Sequence, residues 1–229
     1  MKLKNLIILF ILFFVLLTAI FLVSAKDDGK KVAYITFDDG PTLNTPDILK
    51  TLEKYNAKAT FFVLEERITM YPDFIRQIVA GGNSIGLHGV SHSEAIYQAP
   101  NSPLEEMNIA NASLEKVTGK TSRLVRVPFG SYYRLTDIQA QKLEESGYLI
   151  WDWNVDPRDS VGNIVKERVL ANLKKDLRRC KGEPVILFHD RKSTANLLED
   201  ALIYLKGEGY ELMPLSEKLM PLNQLKNNS

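Results

Sequence analysis

A run of β-branched and aromatic residues near the start of this chain leads directly into two adjacent carboxylates. Residues 32–37 predict a buried strand, and a Gly-Pro turn at positions 40 and 41 ends it. Asp38 and Asp39 therefore stand where the backbone leaves the sheet, which is where α/β enzymes keep their chemistry. Two neighbouring carboxylates repel each other, so the pair requires a cation, a proton or hydrogen bonds. A solvated turn is the better interpretation unless other polar groups converge on the pair.

Strand-like and helical patterns alternate along the rest of the chain. Further strands are predicted at 59–64, 84–87, 124–127, 148–153, 185–188 and 209–212. Helices are predicted near 45–55, 72–80, 102–119, 135–146, 162–180 and 194–207. Thr45 is expected to cap the first helix, and Ser102 with Glu105 to form a capping box. The alternation is typical of parallel strands joined by crossover helices, so the predicted fold class is α/β.

The first 25 residues are predicted to take the protein to the membrane. Residues 6–25 carry no charge, follow Lys2 and Lys4, and approach the ~20 apolar residues that cross a bilayer. Small residues at 23–25 also suit signal-peptide cleavage, so a cleaved signal and a retained anchor both stay open. In either case the remainder is expected outside the cytoplasm, as a linker at 26–31, one domain at 32–213 and a C-terminal tail at 214–229.

The overall composition excludes some classes of protein. The formal net charge is +1 over 229 residues, which does not indicate a nucleic-acid-binding protein. The single cysteine, Cys180, rules out an intrachain disulfide. We expect a monomer and, if residues 6–25 are retained, contact with a membrane.

All three histidines lie at or just beyond predicted strand ends. His88 and His92 are four residues apart, a spacing that lets both rings bind one ion when the segment turns helically. A lone histidine is more often a satisfied core or surface residue, but this pair accompanies two carboxylates that need a partner. Two imidazoles and one carboxylate form a three-ligand site with open positions, which suits Zn²⁺ and also Co²⁺, Mn²⁺ or Fe²⁺.

Five motifs, taken in order, resemble those of the polysaccharide deacetylases, the NodB-homology domains of carbohydrate esterase family 4. They are Thr36-Phe37-Asp38-Asp39-Gly40, His88-x-x-x-His92, Arg126-Val127-Pro128-Phe129-Gly130, Trp153-Asn154-Val155-Asp156-Pro157-Arg158-Asp159 and Leu187-Phe188-His189. The resemblance covers about residues 31–213. It implies a distorted, incompletely closed (β/α) barrel, preceded here by an N-terminal hydrophobic helix.

The resemblance also implies how the site residues divide the chemistry. Asp39, His88 and His92 would bind the metal, with zinc the expected ion and cobalt or manganese as alternatives. Asp38 would act as the catalytic base, oriented by Arg126.

The two later motifs would supply the general acid and the oxyanion site. His189 would donate a proton to the departing amine, with Asp159 fixing its tautomer. The backbone N–H of Phe129 would stabilise the oxyanion together with the metal, and Leu187 would lie on the substrate side. The sequence departs from the family at Leu87, at Gly89 and at Ser160, which stands where the family usually has a tryptophan that walls the acetyl pocket.

The resemblance therefore implies an exported or membrane-anchored, metal-dependent deacetylase. Its substrate partner would be a carbohydrate polymer of amino sugars, whose N-acetyl groups it hydrolyses to release acetate. Peptidoglycan is the leading substrate, while chitin-type oligomers, other exopolysaccharides and O-acetylated xylan stay open. Two other functions are compatible with the same residues. One is a glycan-binding module without useful turnover, and the other is an amidohydrolase of a small cyclic amide.

Overall fold

The structure, a computed structural model, describes residues 31–132, 134–162 and 164–223 of the chain. The segment predicted to be a signal peptide or membrane anchor lies outside these residues, as does the end of the predicted tail. Within the described ranges, no helix combines the length and the apolar character that crossing a membrane requires.

Strands and helices alternate from the first described residue onward, which confirms the predicted α/β class. The strands are β1 Lys31–Gly40, β2 Thr60–Val63, β3 Ser84–Leu87, β4 Leu124–Val125, β5 Leu149–Ile150, β6 Val185–His189 and β7 Tyr210–Met213. The helices are α1 Thr45–Lys54, α2 Glu65–Met70, α3 Pro72–Ala80, α4 Ser102–Thr118, α5 Asp137–Glu145, α6 Lys166–Leu177 and α7 Lys192–Gly207. A 3₁₀ turn at Glu94–Tyr97 precedes α4.

The strands form one parallel sheet in the order β5-β4-β3-β2-β1-β6, and β7 pairs with the first residues of β1. Among the described strands, β5 does not pair with β6. The segment after β5 reaches β6 through an isolated bridge between Val155 and Ile186 and through hydrogen bonds of Asn154 to Glu183 and Val185. The sheet therefore curls into a barrel that does not close, as predicted.

The core lies between the sheet and its helices. The rings of Phe37 and Phe61 stack with centroids 5.0 Å apart, and Phe188 lies 6.0 Å from Phe37 on the other side. All three side chains are fully buried, which stabilises the fold by about 1.5–3 kcal/mol for each ring. This packing fixes the centre of the sheet, and with it the strand end that carries Asp38.

A second apolar cluster fills the concave face of the sheet. It contains Tyr34, Phe62, Leu124, Trp151, Val185 and Leu215. Leu215 is fully buried and its N–H donates to Oγ1 of Thr60 over 2.8 Å, while Leu222 accepts a 2.7 Å hydrogen bond from the N–H of Asp152. The chain after β7 therefore runs past the first residues of β2 and β3 and reaches the segment after β5.

Two predicted helix caps are wrong. Thr45 is the first residue of α1, and Asn44 occupies the cap position without a side-chain hydrogen bond to the helix backbone. The Thr45 hydroxyl instead donates to the buried carboxylate of Asp190 over 2.6 Å. Ser102 likewise lies inside α4, because Asn101 holds its cap position, also without a side-chain hydrogen bond to the helix backbone. In both helices the polar side chain offered a local cap, but the helix begins one residue earlier.

A capping box does occur, at a place that the sequence pattern did not single out. Thr136 accepts from the backbone N–H of Gln139, whose side chain accepts in turn from the backbone of Thr136 at the start of α5. The short helix α2 was also missed. Its six residues are too few to show a clear helical period.

Candidate active site

The carboxyl ends of β1, β3 and β6 bring the predicted site residues to one edge of the sheet. Asp38 pairs directly with His189 across β1 and β6. His88 follows the last residue of β3, and the N–H of Arg126 donates to Leu87 over 2.9 Å, so the segment after β4 lies beside it. Residues that are up to 151 positions apart in sequence therefore face one another.

Asp39, His88 and His92 form a cluster with the donor set of a divalent metal. Oδ1 of Asp39 lies 3.5 Å from Nε2 of His88 and 3.6 Å from Nε2 of His92, and the three ligand atoms lie within 4.8 Å of one another. Oδ1 is buried and accepts no hydrogen bond from the described residues. An unpaired buried carboxylate oxygen is costly, and a cation between the three atoms would satisfy it. The residues present therefore fit a bound metal ion.

The protonation of the cluster also suits a metal. Nδ1 of His88 lies 2.6 Å from the carbonyl oxygen of Arg126, which can only accept, so Nδ1 carries the proton and Nε2 offers its lone pair. Burial lowers the pKa of His92, which favours its neutral form. The pKa of Asp39 is lowered as well: burial alone would raise it, but the adjacent imidazoles outweigh burial.

The two histidines converge through a loop rather than through a helical turn. Gly89 and His92 both adopt positive φ, at 91° and 57°. A Cβ atom on Gly89 would lie 2.9 Å from Oε2 of Glu106, which also accepts from the N–H of Val90 over 2.9 Å. This contact explains why glycine stands here although the family usually has serine or threonine, since a side chain would be strained and crowded.

Asp38 is held by a guanidinium that is completely buried. Nη1 of Arg126 donates to Oδ1 of Asp38 over 2.8 Å and to Oγ1 of Thr36 over 2.7 Å. Its other nitrogens donate to the carbonyl oxygens of Trp151 and Asp152, at 3.1 and 2.9 Å. The fixed positive charge supplies the compensation that the aspartate pair requires, and Oδ2 of Asp38 stays directed at the metal cluster, 3.8 Å from Nε2 of His88.

His189 forms a buried pair with a second aspartate. Its Nδ1 lies 2.8 Å from Oδ1 of Asp159, while Oδ2 accepts the backbone N–H of His189 over 2.8 Å and the hydroxyl of Thr194. Burial by itself lowers the pKa of His189, but the hydrogen bond and charge of Asp159, with Asp38 and Asp39, raise it above 6.5. The ring is therefore held in one orientation, and its protonated form is favoured more than that of a free imidazole.

The loop after β4 carries the predicted oxyanion donor. Phe129 has a φ of 65° and Gly130 a φ of 82°, and no hydrogen bond among the described residues uses the Phe129 N–H. The Phe129 ring is 46% exposed and meets the edge of His92 at a centroid distance of 4.4 Å. Leu187 is almost completely buried on β6, at 5% exposure. The exposed ring thus borders the metal cluster.

Sequence reasoning missed two residues that directly follow His189. Asp190 is buried, accepts hydrogen bonds from Thr42 and Thr45, and donates its N–H to the carbonyl of Asp38 over 2.9 Å. Arg191 places Nη2 3.4 Å from Oδ2 of Asp39. The available signal was that two charged residues directly follow a histidine at a strand end. The neighbouring sequence, however, does not show which side chains they contact.

Comparison with known proteins agrees with this architecture. A family model described as polysaccharide deacetylase matches residues 25–148. YheN of Bacillus subtilis (strain 168), which is named as a polysaccharide deacetylase, is 36% identical over 200 residues, covering 86% of this chain and 71% of that protein. A peptidoglycan-N-acetylglucosamine deacetylase of Bacillus cereus is 32% identical over 199 residues, covering 82% of this chain and 71% of its own length.

A solved structure shares the curled sheet. The crystal structure of the polysaccharide deacetylase Bc1974 from Bacillus cereus superposes with a TM-score of 0.78 at 31% sequence identity. The superposition covers 86% of this chain and 98% of that one. The half-barrel described above is therefore the fold of these relatives.

Proposed function

Because this chain belongs to the polysaccharide deacetylase family, a family of hydrolases, we propose that it removes N-acetyl groups from peptidoglycan outside the cytoplasm. The observation that carries the proposal is the meeting of three groups at one sheet edge. These groups are the cluster around the unpaired Oδ1 of Asp39, the Asp38–Arg126 pair and the His189–Asp159 pair. Peptidoglycan is favoured because the similar Bacillus cereus enzyme is named for that substrate.

We assign the metal site to Asp39, His88 and His92, with zinc as the expected ion and cobalt or manganese as alternatives. Two imidazole nitrogens and one carboxylate oxygen are the donors of open, catalytic zinc sites. A divalent ion held there would supply Lewis acidity, which lowers the pKa of water to roughly 7 and polarises a carbonyl. Gly89 and the hydrogen bond from His88 to Arg126 hold the two rings in place for it.

Asp38 is the proposed general base. Arg126 occupies Oδ1, so Oδ2 is free to accept the proton of the attacking water. The water oxygen then bonds to the acetyl carbon, and the carbonyl electrons move onto oxygen. The backbone N–H of Phe129, unused among the described hydrogen bonds, would donate to that oxygen.

His189 is the proposed general acid. The tetrahedral carbon re-forms its carbonyl as the bond to nitrogen breaks, and the imidazolium donates a proton to that nitrogen. Asp159 holds Nδ1, so the proton leaves from Nε2. The products are acetate and a free amine on the sugar, and the proton taken up by Asp38 returns to solvent.

The remaining assignments concern the chain outside the site. We propose residues 1–25 as a signal peptide or membrane anchor, 26–31 as a linker, 32–213 as the deacetylase domain and 214–229 as its tail. Export suits a substrate in the cell wall. Expression in the natural host distinguishes the two alternatives. Cleavage would give a mature protein whose N-terminal sequence begins after the segment, whereas a retained segment would keep the protein in the membrane fraction.

Acetate release from purified peptidoglycan, measured before and after chelation and after adding back Zn²⁺, Co²⁺ or Mn²⁺, tests the proposal. We expect release that chelation abolishes and one of the metals restores. Acetate release from chitin oligomers and from acetylated xylan, measured at matched acetyl concentration, shows whether another polymer is the better substrate. Tight binding of glycan without acetate release under every metal condition would instead establish a binding module.

A further inference from the structure

The two adjacent aspartates are each paired with a guanidinium on one oxygen only. Arg126 occupies Oδ1 of Asp38 at 2.8 Å, and Arg191 approaches Oδ2 of Asp39 at 3.4 Å. The other oxygen of each carboxylate is directed at His88, at 3.8 Å from Asp38 and 3.5 Å from Asp39. The strand end thus presents one oxygen from each aspartate to the metal cluster.

The two guanidiniums differ in how firmly they are fixed. Arg126 is fully buried and all three of its nitrogens donate hydrogen bonds. The Arg191 side chain is 38% exposed, and its buried Nε has no partner among the described residues. Its only described ion pair is the one with Asp39. Among the described residues, the Arg191 guanidinium is therefore paired with Oδ2 of Asp39, the oxygen that does not face the histidines.

We infer that Arg191 is a positioning residue that holds Oδ2 of Asp39 away from the metal, so that the carboxylate ligates through Oδ1 alone. A carboxylate that binds through both oxygens takes an additional coordination position. An open catalytic site needs that position for water and substrate. The partner of a ligating group commonly sets its orientation, and losing such a partner costs about 10- to 100-fold in metal affinity or activity. This inference rests on the metal site proposed above.

The test compares three variants with the unchanged protein after Co²⁺ substitution. Arg191→Met removes the charge and the donors at similar length, and Arg191→Lys keeps the charge. Lys192→Met is the matched control, because it removes the same charge one residue further on. Lys192 is 70% exposed and lies 3.8 Å from Asp47, away from the cluster.

We expect the visible spectrum of the Co²⁺ protein, which reports coordination number, to change in Arg191→Met and to be largely restored in Arg191→Lys. The kcat of Arg191→Met should fall by about 10- to 100-fold at unchanged KM. Lys192→Met should match the unchanged protein in both respects, and thermal melting should show that every variant is folded.

Two results would overturn the inference. An Arg191→Met spectrum identical to that of the unchanged protein would show that Oδ2 is not held away by Arg191. A loss confined to KM would show that Arg191 binds substrate instead. If the unchanged protein itself binds no Co²⁺, the proposed metal site fails, which is a separate outcome.

Discussion

Nη1 of Arg126 donates a 2.8 Å hydrogen bond to Oδ1 of Asp38, and neither side chain is more than 5% exposed. Burying a carboxylate costs free energy unless hydrogen bonds and an opposite charge compensate it. The paired guanidinium, held in turn by Thr36 and two backbone carbonyls, supplies this compensation for Asp38. Structure and proposed chemistry therefore depend on the same contact.

Removing that contact should destabilise the protein strongly. Arg126→Met leaves the Asp38 carboxylate buried without its partner, which typically costs about 3–5 kcal/mol. Urea denaturation would measure the change in the free energy of unfolding. The matched control is Arg76→Met, whose 2.6 Å pair with Asp73 is exposed and should contribute no more than about 1 kcal/mol. Equal losses in the two variants would contradict the special role of the buried pair.

The aspartate pair should separate metal binding from proton transfer. Asp39→Ala should lose bound metal, because the oxygen that faces both histidines is removed. Asp38→Asn should keep the metal, since its ligands are untouched, yet lose about 100-fold or more in kcat, the scale of general base catalysis. Metal content and rate are measured on the same preparations. If both variants lose metal to the same degree, the division of roles is wrong.

The pH–rate profile should depend on Asp159. The pKa of His189 is raised above 6.5 mainly by the hydrogen bond and charge of Asp159, although burial opposes the shift. A general acid works only while protonated, so activity should fall as pH rises through this raised pKa. Asp159→Asn removes the negative charge, which lowers the pKa and moves the alkaline limb to lower pH.

Asp156→Asn is the control for this prediction. It removes a carboxylate three residues earlier whose described hydrogen bond goes to the backbone of Arg158. The alkaline limb should therefore move much less than in Asp159→Asn. An alkaline limb that stays in place in Asp159→Asn would refute the pairing as the source of the raised pKa.

The acyl pocket should tolerate longer acyl groups than acetyl. Ser160 stands where the family usually has tryptophan, and Trp151, the side chain that could have replaced it, is 2% exposed in the cluster on the concave face of the sheet. N-propionyl and N-butyryl substrates should therefore be accepted. Each added methylene should change the activation free energy that corresponds to kcat/KM by no more than ~1–3 kcal/mol. Ser160→Trp should restore preference for acetyl. If the natural protein discriminates as sharply as Ser160→Trp, another side chain fills the space.

Much of the fold and most of the candidate site followed from sequence patterns. The alternation of strand and helix predicted the parallel α/β sheet, and strand ends predicted where Asp38, His88 and His189 would lie. These features are local, because the residue types within a short segment determine whether a strand is buried and where it ends. The family resemblance then supplied the site roles, which remain predictions for the experiments above.

What only the tertiary structure decided is which polar side chains meet. Thr45 looked like a helix cap, yet its hydroxyl bonds to Asp190, 145 residues away. Arg191 looked like an ordinary charged residue, yet it faces Asp39 from 152 residues further along the chain. Side-chain type and local period determine which residues reach the sheet edge. Which of these residues pair at the sheet edge depends on strand order and register. Both arise from packing over the whole domain, so a short stretch of sequence does not determine them.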